Sequence, residues 1–116
     1  MKDFILVYRT DANTMNALPQ RSAEEMLISK KRWMDWIGGI AAQNKLTDAG
    51  NKLVPLGKVV KSDNVVTDGP YTEIKECLVG YSIVKAISIE DATELAKGCP
   101  VLAIGGNVEV REVSAF

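Results

Sequence analysis

Apolar and polar positions change period several times along the chain, and each change marks an element. Asp3 to Arg9 carries five apolar or aromatic residues with a β-branched bias and is too short for a helix, so it reads as a buried strand. A polar loop is expected over Thr10 to Arg21. Ser22-Ala-Glu-Glu25 then matches a capping box, in which the serine hydroxyl and a carboxylate three residues on satisfy free backbone amides. Behind it, Trp33, Trp36, Ile37, Ile40, Ala41 and Asn44 recur at helical spacing, with Lys30, Lys31 and Arg32 largely off that stripe. The spacing predicts a helix from about Ala23 to Asn44.

From Lys45 to Thr67 the pattern shortens to strands and turns. Pro55 ends any strand through Leu53-Val54 or confines it to a sheet edge. Lys58 to Lys61 and Asn64 to Thr67 bracket Ser62-Asp63 as a hairpin, which delivers the chain to Asp68-Gly69-Pro70. Val79 to Ile87 is the central strand. One face holds Val79, Tyr81, Ile83, Lys85 and Ile87, and the other is small, with Gly80, Ser82, Val84 and Ala86. Small residues on a strand let another part of the molecule approach closely. Ser88-Ile-Glu-Asp91 opens a second helix, which Gly98 and Pro100 stop. Gly105-Gly106 leads into a last strand, Asn107 to Val113. The two halves share a strand–helix–strand layout without a clear repeat. They predict one α+β domain over residues 1–116, with a ferredoxin-like antiparallel sheet and helices on one face.

A sheet with one solvated face alternates cleanly. Here Phe4, Leu6 and Tyr8 oppose Ile5, Val7 and Arg9, while Val108 and Val110 oppose Glu109 and Arg111. Both faces of the first strand and most of the central one are nonetheless apolar, so a second copy of the chain is the expected cover, giving a homodimer. Glu109, Arg111 and Arg9 would then line a cavity between two sheets, or else form a cross-strand salt bridge at its rim.

Composition narrows the chemistry. A net charge of -1 over 116 residues leaves no electrostatic footprint for direct nucleic-acid binding or an anionic membrane. Phe4 to Tyr8 is too short an apolar run for a signal-peptide core or a span, so the expected location is cytoplasmic. The sequence has no histidine, which removes the usual general base, triad member and metal ligand. A zinc site would have to combine Cys77 and Cys99 with carboxylates, an unusual set, so neither a metal nor a cofactor is expected. The two cysteines read as reduced thiols. Acids beside Cys77 and a helix end before Cys99 argue against nucleophilic roles. The tryptophans Trp33 and Trp36 read as core or interface.

The stretch from Val65 to Val113 resembles the YCII-related family, in the group named for an Asp-Gly-Pro-Phe motif. The residues that carry the resemblance are Asp68-Gly69-Pro70-Tyr71 with Glu73, Lys75 and Glu76, then Gly80-Tyr81, the Ser88 helix start, Gly98-Cys99-Pro100 and Val108 to Arg111. The amino-terminal Met1 to Leu6 and the Trp33 to Gly38 segment are similar to that group as well. The resemblance implies a dimeric α+β barrel with a cleft near the sheet interface. It also implies two precedents, association of some members with extracytoplasmic-function sigma factors and enzymes of the wider superfamily that act on small ring compounds. Many relatives pair a histidine with an aspartate. That pair is missing here, and Tyr71 stands where the motif has phenylalanine, adding a hydroxyl.

Asp68-Gly69-Pro70 has two readings. As a corner it is self-sufficient, since Asp accepts from following amides, Gly tolerates unusual dihedrals and Pro fixes the exit. As part of a site, Asp68 is the candidate general base at a cavity mouth, because enclosure raises a carboxylate's pKa toward neutrality. Tyr71 and Tyr81 are then the candidate catalytic hydroxyls, and Tyr8, Arg9, Gly69, Glu109 and Arg111 the candidate ligand-binding residues, an arginine holding an anionic group. The charges of Glu73 to Glu76 read as a solvated turn. Two functions follow: a homodimer binding an unknown small molecule, extending to a metal-independent lyase or isomerase, or a non-catalytic regulatory module whose partner is a sigma factor.

Overall fold

The computed structural model describes residues 1–69 and 76–116. In chain order the elements are β1 (Lys2–Thr10), α1 (Ala12–Ala17), α2 (Ala23–Ala42), β2 (Leu46–Lys52), β3 (Gly57–Val60), β4 (Val66–Gly69), β5 (Cys77–Ala86), α3 (Ile89–Ala96) and β6 (Asn107–Glu112). Short 3-10 turns cover Leu18–Gln20 and Pro100–Ile104. Strands β2, β5, β1 and β6 form one sheet in that order, and every neighbouring pair is antiparallel. With β3 and β4 set aside as a separate hairpin, the order β1-α2-β2-β5-α3-β6 is strand–helix–strand twice over, the ferredoxin-like α+β arrangement expected.

Both long helices start where side-chain chemistry fixes them. The Ser22 hydroxyl accepts from the Glu25 amide at 3.1 Å and donates to Glu25 Oε1 at 3.2 Å. Ser88 accepts from the Asp91 amide at 3.1 Å, and Asp91 in turn accepts from the Ile87 amide at 3.2 Å. The stretch expected as a polar loop contains α1 instead. Asp11 caps it by accepting from the Thr14 amide at 2.7 Å, and Met15 is its one buried residue. Six residues with a single buried side chain leave no periodic stripe to read.

Strand register sorts the sheet faces. Phe4, Leu6, Tyr8 and Thr10 are buried on the helix side, opposite Val84, Ser82, Gly80 and Cys77 of β5. The small face of β5 therefore lies under the helices, and it leaves room there for large aromatics. Tyr8 meets the edges of Trp33 and Trp36 at centroid distances of 4.8 and 5.9 Å, and Trp36 Nε1 donates to the Leu95 carbonyl at 3.0 Å. Ala92 and Ala96 of α3 and Ile40 of α2 complete that core with Cys99 and Val101. Ile5, Val7 and Arg9 stand on the other face, with Ile83, Glu109 and Arg111 in register beside them.

Edge strand β2 stops at Lys52, ahead of Pro55. Its course against β5 is irregular, and Gly50 sits in the middle with φ of 73°. A Cβ there would fall 1.7 Å from the Tyr81 carbonyl oxygen.

Candidate functional site

The helix side of the sheet is not filled to its edge. Tyr8, Trp33 and Trp36 occupy the part over β1, but toward β2 the floor is built of Ala49, Gly50, Gly80 and Ser82, which reach up very little. The result is a cleft of about 850 Å³ between α2, the β2–β5 seam and the Pro100–Ile104 turn. Its walls are mainly apolar, with Leu18, Trp33, Ile37, Leu53, Val79 and Ile104 among them. A cleft of this size with few convergent polar groups is the usual form of a small-molecule site.

The polar element at the base is a two-step relay. Tyr8 Oη donates to Ser82 Oγ at 2.6 Å, and Ser82 Oγ donates to the Ala49 carbonyl at 2.6 Å. Burial pushes the Tyr8 pKa well above that of a free phenol, against a smaller opposing effect of the Ser82 hydrogen bond, so the hydroxyl stays protonated at any physiological pH. Nearby Cys99 is pushed up to about 12, also by burial, so it too is neutral. Its inertness comes from desolvation rather than from the helix end that its position in the sequence suggests. Both cysteines are buried, and neither forms a disulfide.

The sequence candidates fall in three places. Tyr8 lines the cleft; Tyr81 borders it at the β2–β5 seam but pairs with Val7, so its side chain belongs to the face away from the helices, where Asn51 Nδ2 donates to Tyr81 Oη at 3.4 Å. Arg9, Glu109 and Arg111 stand on the opposite face of the sheet from Tyr8. There Arg9 lies 3.5 Å from carboxylate oxygens of both Glu76 and Glu109, and its Nε donates to Asn107 at 3.2 Å. Asn107 donates to Glu76 at 3.0 Å, so the guanidinium belongs to a protein-internal network that an anionic ligand would have to displace. Among the described residues, Arg111 makes no hydrogen bond or ion pair with this network. Asp68 lies in the hairpin, with 87% of its side chain open to solvent, and pairs with Lys58 across from it. The described residues do not enclose it. Gly69 ends β4 opposite Gly57. Tyr71 and the rest of the motif through Lys75 lie outside the described residues.

Two positions at the base of the cleft escaped the sequence reading. Ser82 was visible as a member of the small face, but a serine on a strand carries no sign that its hydroxyl will be shared. The Ala49 carbonyl had no signal at all. Among the described residues, no group of three or more Cys, Asp and Glu side chains is placed to hold a metal ion. No helix formed by those residues is long and apolar enough to cross a membrane.

Among curated proteins, none matches this sequence. The family model for the YCII-related domain matches residues 5–116, which include both sides of the cleft and all of the ferredoxin-like core except the first three residues of β1; the chain belongs to the YCII-related family.

Proposed function

We propose that this protein binds a small, mostly apolar molecule in the cleft under α2, and that it does so as a homodimer. The single observation that carries the reading is the cleft itself: about 850 Å³ of apolar space left open beside a packed aromatic cluster, with hydroxyls at its base. Such a cleft leaves apolar surface in contact with water, and a bound apolar molecule would gain by covering it. The dimer is supported by Ile5, Val7 and Ile83, partly exposed apolar side chains on the face away from the helices. The Asp68-Gly69-Pro70-Tyr71 stretch supports, as part of the same proposal, membership in the Asp-Gly-Pro-Phe group of the family.

Native mass spectrometry of freshly purified protein, followed by denaturing analysis of the same sample, tests both parts. The expected result is a dimer that binds or retains a small apolar molecule and releases it on unfolding. A monomer at micromolar concentration would remove the dimer. Failure of every apolar probe to bind at millimolar concentration would remove the cleft reading.

A second reading, a non-catalytic module that docks a partner such as a sigma factor, is supported by the β3–β4 hairpin. Leu56, Val60 and Val66 are 87%, 69% and 57% exposed there, and a two-stranded hairpin gains little stability alone. If that reading holds, changing Val60 and Val66 to Thr leaves small-molecule binding intact and abolishes capture of the partner.

A further inference from the structure

The relay under the cleft has a direction, and the direction selects the ligand. A carbonyl oxygen can only accept, so the contact at 2.6 Å between Ser82 Oγ and the Ala49 carbonyl consumes the one proton Ser82 has. Ser82 can then meet Tyr8, also at 2.6 Å, only as acceptor, and the Tyr8 proton is committed to it. What remains on Tyr8 Oη is acceptor capacity, and among the described residues no donor reaches it. Tyr8, Ser82 and Ala49 all line the cleft, and Tyr8 is held in place by the edges of Trp33 and Trp36.

We propose that the cleft selects apolar or aromatic molecules bearing a hydrogen-bond donor, a phenol or an aryl amine, which donates to Tyr8 Oη. An equivalent molecule with only an acceptor, a ketone or an ether, would set its oxygen against the Tyr8 oxygen with no proton between them. Two consequences follow from the chemistry. Discrimination is strongest against acceptors, because an acceptor leaves two oxygens in contact in an apolar setting. Ser82 sets the preference by holding the Tyr8 proton, not by bonding the ligand itself, and is therefore a positioning residue.

The inference rests on the cleft being a ligand site, and the test separates the two. Dissociation constants of 2-naphthol and 2-fluoronaphthalene, which are close in shape but differ in donor capacity, are measured by ligand-observed NMR on wild type, Tyr8→Phe and Ser82→Ala. Wild type is expected to bind 2-naphthol about fivefold more tightly than the fluoro compound, the effect of one neutral hydrogen bond. In Tyr8→Phe the preference disappears while the fluoro compound still binds. In Ser82→Ala, where the Tyr8 proton is released, methoxynaphthalene gains affinity relative to wild type, and this variant carries the test should Tyr8→Phe fail to fold. Equal binding of the two probes to wild type overturns the donor rule and leaves the cleft site standing. A naphthol preference that survives both substitutions also overturns it. Failure of all probes to bind overturns the cleft site, and the donor rule with it.

Discussion

A single methyl group, added at two glycines, should have opposite consequences here. Gly50 lies in β2 with φ of 73°, and a Cβ on it would sit 1.7 Å from the Tyr81 carbonyl oxygen and 2.6 Å from its carbon. Alanine in the left-handed region costs about 1–2 kcal/mol by itself. The overlap with backbone cannot be relieved by a rotamer, so β2 must move away from β5 by more than an ångström. That displacement weakens the Asn51–Tyr81 and Lys52–Gly80 pairing and the 2.7 Å bond from the Leu53 amide to the Val79 carbonyl. At about 1 kcal/mol for each hydrogen bond lost, Gly50→Ala should destabilise the domain by about 3–5 kcal/mol. Gly38, within α2, has nothing within 4 Å of its added Cβ. There alanine only removes freedom from the unfolded chain, and Gly38→Ala should stabilise by about 0.5–1 kcal/mol. Urea denaturation followed by circular dichroism measures both against wild type. If Gly50→Ala unfolds within about 1 kcal/mol of wild type, the account of the β2–β5 seam is wrong, and the floor of the cleft with it.

Three more outcomes follow from the structure. Trp36→Phe removes the indole N–H that donates to the Leu95 carbonyl and part of a ring packed over Gly98; it should cost about 2 kcal/mol in the same assay, and a loss below 0.5 kcal/mol (about the assay's error) would show the contact to be incidental. Asp91 is held below its ordinary value of 3.8, first by the Ile87 amide and then by Lys45, so its stabilisation is present above that pH and drains away as pH falls through the lower folded value. The stability gap between wild type and Asp91→Asn should therefore narrow between pH 5 and pH 2 (an approximate window, set by ordinary carboxylate values), and a gap independent of pH would refute the charge's part in it. Cys99 is raised from 9.0 to about 12 by burial, so the unfolded chain gives up that proton first and stability should decline as pH rises across that window; Cys99→Ala should flatten the decline, and an unchanged alkaline slope would count against it.

Much of the fold was legible because it rests on local chemistry. Ser22 and Ser88 announced both long helices, and both serines accept the bonds expected of them. The face assignment of β1 and β6 followed from alternation alone, and pairing bears it out: Leu6 lies opposite Val110 and Val7 opposite Glu109. Pro55 forecast where β2 must end. Helix α1 was not legible, because its start is one aspartate cap and its burial one methionine. The hairpin's separation from the main sheet was equally hidden, since pairing partners of short apolar runs are decided by register and not by composition.

The candidate site shows where such reasoning stops. Charge and turn chemistry drew attention to Arg9, Glu109 and Asp68, residues whose side chains find partners on the protein surface. The cleft is announced by a deficit of volume instead. On the helix side, β5 offers Gly80 and Ser82 and β2 adds Ala49 and Gly50, while the large residues that could compensate, Tyr8, Trp33 and Trp36, are packed edge-to-face against one another over β1. Two tryptophans on one helix can pack onto one end of a floor of small residues but cannot cover its length. The remaining space is left to solvent, to another part of the molecule, to a ligand or to collapse of α2 toward β2. Collapse is opposed by the aromatic cluster, which props the helix away from the sheet. The same three rings that build the core thus hold the cleft open, so a truncation such as Trp33→Ala should both lower stability and shrink the ligand space.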